Sequence, residues 1–307
     1  MDIIILLFGF SIGLVLLVKG ADEMVSSAIQ IALKFKLPSS IVGATFIGFG
    51  TSAPELFAST RAALKGDLDL GIGNIVGSNI ANSLLVVAVL YLALPKDYSK
   101  KINLNKISPT WMAILTTIFV STYLLTNKFP FLLGVALLVL VLYVIYKMIS
   151  SESDDEEGLM EEEKSYIWLR GGMSLVATLY GSQLVVENAV EIASIFGVSS
   201  LVIGSTIIAI GTSLPEVAGT ISAAKMRKPD IVFGNIFGSN LFNIGLVGGA
   251  AIMISPGEIS SAIDYQLFIM YFVSFVVIFL SRNIIKRNSI LGYVFIALYV
   301  LFLISLF

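Results

Sequence analysis

The 307-residue sequence contains neither cysteine nor histidine. That excludes disulfides, thiolate nucleophiles, Cys-linked haem, His- or Cys-ligated zinc and imidazole proton relays together. Oxygen is the remaining ligand chemistry, which suits hard cations rather than transition metals. Charge is also scarce: 13% of residues are charged and 57% hydrophobic, where soluble domains carry roughly 25% charged residues. The chain therefore reads as a membrane protein. At about 20 apolar residues per span it has room for on the order of ten spans with short loops. The net charge of −2 points to no partner; lipid is expected around the chain, and no nucleic acid and no permanently bound cofactor are expected.

Apolar runs set against polar breaks predict ten helices. They cover about Ile3 to Phe35, Ser40 to Leu64, Leu70 to Leu94, Ser108 to Thr126 and Phe131 to Ile149 in the first half. In the second half they cover about Tyr166 to Phe196, Ser200 to Met226, Ile231 to Ile254, Ile263 to Leu280 and Ser289 to Phe307. The run after Met1-Asp2 lacks a basic leader and a small-residue cleavage site, so it reads as a retained first span. Between the halves, residues 150–164 carry eight acids and read as a solvated linker. Those acids lack the spacing of a calcium-binding EF-hand loop. The expected domains are thus 1–149, the linker 150–164, and 165–307.

An internal repeat organises the whole chain. Gly43-Ala-Thr-Phe-Ile-Gly-Phe-Gly-Thr-Ser-Ala-Pro-Glu55 returns as Gly204-Ser-Thr-Ile-Ile-Ala-Ile-Gly-Thr-Ser-Leu-Pro-Glu216, and Gly73-Asn-Ile-Val-Gly-Ser-Asn-Ile-Ala-Asn82 as Gly234-Asn-Ile-Phe-Gly-Ser-Asn-Leu-Phe-Asn243, both at an offset of 161. Gly20 and Gly181, and Asp69 and Asp230, keep the same offset. Five helices per half, an odd number, would make the second half enter the membrane inverted. The basic residues agree: fifteen fall on one set of loops, three (Arg61, Lys65, Lys128) on the other, and Lys19 within a span. The rich side is read as cytoplasmic, with the acidic linker there and both termini outside.

Glu55 and Glu216 sit mid-span, where an ionised carboxylate costs at least about 2.5 to 3.5 kcal/mol. Each follows a Gly-Thr-Ser run and a proline, which removes a helical hydrogen bond beside a flexible glycine. Broken backbone at that depth survives only if buried or lining a polar cavity, where freed carbonyls are natural cation ligands. Asn74, Ser78, Asn79 and Asn82, with Asn235, Ser239, Asn240 and Asn243, add neutral oxygens. Ser78 and Asn82, like Ser239 and Asn243, lie four apart on one helix face. Such a set could complete a shell for Ca2+ or several smaller shells for Na+. The bland alternatives are acids paired with structural bases, and Gly and Ser serving close helix packing. Ser26, Ser27, Thr116 and Thr117 read as packing groups. Asp22, Glu23, Glu187 and Glu191 could line an access path or face water.

The paired G-T-S-[AL]-P-E and G-N-I-x-G-S-N-x-x-N segments resemble the alpha repeats of the cation/Ca2+ antiporter superfamily, nearest its prokaryotic sodium/calcium exchanger branch. The resemblance implies an all-α polytopic fold of two inverted five-helix repeats. It implies that Glu55 and Glu216 bind Ca2+, with the carbonyls of Thr51 and Thr212. It further implies that Ser52, Ser213, Ser78, Ser239, Gly48 and Ala209 supply oxygens to flanking Na+ sites, and that Asn82 and Asn243 line the centre. Asn243 departs from members that carry an aspartate there, which speaks against potassium dependence. Two carboxylates give an empty site of −2; one Ca2+ neutralises it and three Na+ would leave +1. The expected activity is Na+/Ca2+ antiport by alternating access rather than catalysis. A proton-driven Ca2+ exchanger, a cation channel and an intramembrane acid-base enzyme remain the rivals.

Overall fold

A computed structural model describes residues 3–101, 104–150, 166–197 and 211–306. The acids of the linker, at 152–163, and Gly204 and Ala209 lie outside the described residues. Ten helical rods run through the described residues, counting as one a rod that continues through a π turn and also the two parts of the bent second rod. They are α1 (Ile3–Phe35), α2 (Ser39–Thr51 and Ala53–Leu64), α3 (Leu68–Ala93), α4 (Ile107–Thr126) and α5 (Phe131–Ile149), then α6 (Ile167–Ile195), α7 (Leu214–Lys225), α8 (Pro229–Ile254), α9 (Asp264–Ser281) and α10 (Ser289–Ile304). Six are long and apolar enough to cross a bilayer, seven if the two parts of α2 count as one span. The other three are α6, whose charged residues lower its hydropathy, the short α7, and the 16-residue α10.

The bounds fall within a few residues of those expected, except that the start of the seventh helix, expected near Ser200, lies outside the described residues, and the repeat offset survives in them. Ala53–Leu64 corresponds to Leu214–Lys225, and Leu68–Ala93 to Pro229–Ile254, residue for residue. Three features were not expected. Each is a departure from plain α-helix: π turns at Gly43–Gly48, Asn82–Val86 and Asn243–Gly248. Two short ribbons also close the ends of the bundle. β1 (Ser99–Lys101) pairs antiparallel with β4 (Ile284–Lys286), and β2 (Lys128–Phe129) with β3 (Gly257–Glu258).

These ribbons fix the direction of every rod. α4, with 20 residues and so about 30 Å long, separates β1 from β2. The ribbons therefore mark opposite ends. At the β1–β4 end Arg227 binds Asp97 at 2.6 Å, holding that exposed carboxyl below its usual range by its hydrogen bond. There too the Asn288 amide donates to Tyr91 O, and Phe35 at the end of α1 meets Trp168 at the start of α6. At the β2–β3 end the Ser260 amide donates to Asp69 Oδ1. Hence α1 and α3 run toward the β1–β4 end while α6 and α8 run away from it, and α2 and α7 are opposed likewise.

The packing places α3 and α8 at the centre. The most apolar windows of α3 and α8 are 78% and 83% buried, against 22% for α1, which faces outward. Small residues allow the closest approaches. A Cβ on Gly43 would lie 2.5 Å from Ile231 O, and one on Gly234 would collide with Ser40 O, so α2 crosses α8 backbone to backbone. α1 and α6 cross through Gly13 and Gly181, where a Gly181 Cβ would lie 2.8 Å from Gly13 O. α1, 33 residues and about 50 Å long, exceeds a hydrocarbon core of about 30 Å and must tilt. Gly234→Val should lower the thermal unfolding midpoint sharply, at a cost of about 1–3 kcal/mol or more. Gly219→Ala, whose Cβ would touch, among the described residues, only the Met24 methyl at 3.4 Å, should not; size-exclusion after a heating series reads both.

Candidate functional site

The Gly-Thr-Ser run ends the first part of α2 at Thr51. Ser52 takes φ −83° and ψ 0°, and the second part starts at Ala53 with a bend of 46°. Pro54 stands in the first turn of the new segment, where a missing N–H costs least. The second half repeats this: Ser213 has φ −93° and ψ 2°, and Pro215 opens α7. Each break places a carboxylate, Glu55 or Glu216, in the first turn of the following helix. Helix N-termini carry partial positive charge and unpaired N–H groups, which favour an anion. The break thus supplies part of what an acid at this depth loses on leaving water.

Both acids are buried, at 4% and 3% exposure. Ser78 Oγ donates to Glu55 Oε1 at 3.4 Å. Glu216 interacts electrostatically with Glu55 and with the Thr51 hydroxyl, so the two halves meet at the acid pair. Thr51 Oγ1 also lies 3.4 Å from Ser239 Oγ, which in turn stands 3.3 Å from Gly48 O and from Asn235 Oδ1. Ser52, Ser213, Asn82 and Asn243 are buried nearby in sequence and fold, and the π turn that begins at Asn243 packs against the segment of α2 that carries Glu55. Arg61, six residues beyond Glu55, is exposed. Neither acid is in an ion pair with a basic side chain among the described residues.

Among the described residues, four buried oxygens in this region have no hydrogen-bond partner: Glu55 Oε2, Glu216 Oε2, Ser52 Oγ and Asn243 Oδ1. Buried acceptors are normally satisfied, and leaving one unpaired costs about 1–3 kcal/mol, more when charged. No group of three or more acidic side chains that could together hold a metal ion occurs among the described residues. Two carboxylates with hydroxyl, amide and carbonyl oxygens fit a hard cation and offer nothing to a soft one.

The structure brings together most residues singled out from the sequence. Glu55 with Ser78, and Thr51 with Glu216, Ser239 and Gly48, are in contact. Thr212 lines a cavity of about 540 Å³ beside the site, with Pro54, Gly211, Pro215, Gln183 and Glu187. Ala209 lies outside the described residues. Asn74 turns away to donate to Ser59 Oγ at 2.9 Å. Asn79 and Asn240, expected to offer oxygens, instead bond across α3 and α8. Glu23 pairs with Arg170 of α6 at 2.5 Å, so of the peripheral acids only Glu187 reaches the cavity. Thr116 and Thr117 bond the backbone of their own helix, as packing groups do. The π turns at Asn82 and Asn243 left no mark in hydrophobic periodicity, yet such turns gather at functional sites.

The apolar helices and the acids they enclose define an integral membrane protein. A family model described as "Sodium/calcium exchanger protein" matches residues 5–151 and 166–307. The chain is 31% identical over 290 residues to the inner membrane protein YrbG of Escherichia coli, covering 89% of this chain and 88% of that protein. It is 29% identical over 345 aligned positions to the sodium/calcium exchanger MaX1 of Methanosarcina acetivorans, covering 96% and 97%. The solved structure of the sodium-calcium exchanger NCX_Mj, soaked with zero Na+ and Ca2+, superposes with a TM-score of 0.84 at 27% identity over 99% of both chains. The chain belongs to the sodium/calcium exchanger family, in the prokaryotic branch of the cation/Ca2+ antiporter superfamily.

The unpaired oxygens give a prediction that needs no transport. In buffer free of Na+ and divalent cations, Glu55→Gln should unfold at a higher temperature than the wild type, by roughly 1–3 kcal/mol, because an amide is cheaper than a carboxylate to bury. Adding Ca2+ should reverse the order. A midpoint for Glu55→Gln below wild type in the cation-free buffer would contradict the site.

Proposed function

We propose that this protein is a secondary active antiporter that exchanges Na+ for Ca2+ at a site formed by Glu55 and Glu216. The observation that carries the reading is the buried acid pair, which among the described residues has partnerless oxygens, neutral oxygen neighbours and no basic side chain to neutralise it. Thr51, Thr212, Ser52, Ser213, Ser78, Ser239, Gly48, Ala209, Asn82 and Asn243 complete the ion sites. The names of MaX1 and NCX_Mj, both sodium/calcium exchangers, support the choice of ions. Ca2+ takes six to eight oxygens, so carboxylates alone cannot satisfy it and the neutral oxygens belong to the shell.

In this reading ten spans form two inverted five-helix repeats, 1–149 and 165–307, joined by an acidic linker. The opposed directions of α1 and α6, α2 and α7, and α3 and α8 support it, as do ribbons that tie the loop after α3 to the loop after α9, and the loop after α4 to the loop after α8. The basic β1–β4 end is cytoplasmic and both termini lie outside, in the plasma membrane. The cavity between α6 and the breaks at Pro54 and Thr212 is the ion path to the non-cytoplasmic side, with Glu187 at its rim. The tilted pair α1 and α6, crossing through glycines, moves against the core to exchange openings. Neutralisation of the acids by one Ca2+, or by Na+ ions, permits the switch.

The test is uptake of radiolabelled Ca2+ into Na+-loaded proteoliposomes diluted into Na+-free buffer. Uptake should require the Na+ gradient and fall at least about 100-fold in Glu55→Gln and Glu216→Gln, in line with the loss of a main charged ligand. Uptake driven by a pH gradient without Na+ would replace Na+ with protons as the counterion. Flux that needs no counter-gradient would mean a channel.

A further inference from the structure

Asn79 and Asn243 form the only arm of the central amide network, among the described residues, whose polarity is fixed from one end to the other. Asn79 Nδ2 donates to the backbone carbonyl of Asn240 at 3.3 Å and lies 3.8 Å from the sulfur of Met270. Neither group can donate, so the Asn79 amide cannot be turned over without losing both contacts. Its Oδ1 must then face α8, where it accepts from Asn243 Nδ2 at 3.0 Å. That bond uses the nitrogen side of the Asn243 amide and leaves Asn243 Oδ1 as a buried acceptor without a partner. All three side chains are at most 1% exposed, so water does not compete.

We infer that Asn79 is a positioning residue for cation binding: it holds the Asn243 amide with its oxygen, not its nitrogen, free for the ion. The inference rests on the ion site proposed above and adds how an uncharged residue serves in it. An asparagine at a cation site is useful in one of its two flips only, because the NH2 group repels a cation as its oxygen attracts it. A carboxylate at position 243 would have no such requirement. The order of the network is set on α3 and read on α8 at the first residue of the π turn, Asn243. In the partner arm Asn82 Nδ2 donates to Asn240 Oδ1 at 3.1 Å, but Asn240 is anchored on the Ser83 hydroxyl, which can donate or accept, so its flip is not fixed in the same way.

The experiment measures the Ca2+ dependence of the thermal midpoint of the purified full chain. The proteins are wild type, Asn79→Leu, Asn243→Ala and the double variant. Thr116→Val, whose buried hydroxyl bonds Met112 O of its own helix, serves as the packing control. Asn79→Leu should weaken Ca2+ about tenfold, the usual effect of losing an outer hydrogen bond to a metal ligand, with wild-type affinity in Thr116→Val. The double variant should bind no worse than Asn243→Ala, because Asn79 has nothing left to orient. If leucine is not accommodated, Asn79→Ala removes the same acceptor. Wild-type affinity in the Asn79 variants, or losses that multiply in the double variant, would overturn the inference. A wild type that gives no response to Ca2+ would overturn the site itself.

Discussion

Two carboxylates held inside an apolar bundle, with no basic side chain among the described residues to neutralise them, are the constraint on which the rest of the structure depends. Taking one such ion out of water costs several kcal/mol even after relaxation. Each is repaid in part by its place in the first turn of a helix, and each helix begins there because the chain breaks at a serine after Gly-Thr. The break, the proline and the acid are therefore one device rather than three features. It leaves oxygens unsatisfied, which in the proposed reading a bound cation completes.

That device can work only if two backbones come very close together. The α2 and α8 rods cross at Gly43 and Gly234, where any side chain would meet a carbonyl, and this brings Gly48 and Thr51 of one half against Ser239 of the other. Around this crossing α1 opposes α6, α2 opposes α7 and α3 opposes α8, and the end ribbons pair the loop after α3 with the loop after α9 and the loop after α4 with the loop after α8, as the proposed inverted halves require. A site built at such a junction sees equivalent surroundings toward either side. In the proposed reading, small rearrangements of α1 and α6 then decide which side it faces, as alternating access requires.

Much of this was legible in the sequence, for identifiable reasons. Glu55 and Glu216 stood out because a membrane span rarely tolerates an acid, and their repetition at one offset made coincidence untenable. Helix limits that fall among the described residues followed apolar runs to within a few residues, since loops between spans are short and polar. The π turns were hidden because one extra residue per turn hardly alters a run that is apolar on every side. The ribbons were hidden because two or three residues carry no alternation. Asn79, Asn240 and Asn74 were grouped with the ligands because composition shows an amide's presence, not the direction of its oxygen. Direction is set by neighbours distant in sequence, such as the Asn240 carbonyl that anchors Asn79.

The central claim is that one cation is shared by Glu55 and Glu216. The most direct measurement is anomalous diffraction from crystals soaked with Ca2+ and then with Na+ in excess. One strong peak is predicted between the two carboxylates, about 2.3–2.6 Å from oxygens of both, and displaced by Na+. A peak held by one carboxylate alone, or Ca2+ found only outside the helix crossing, would contradict the account.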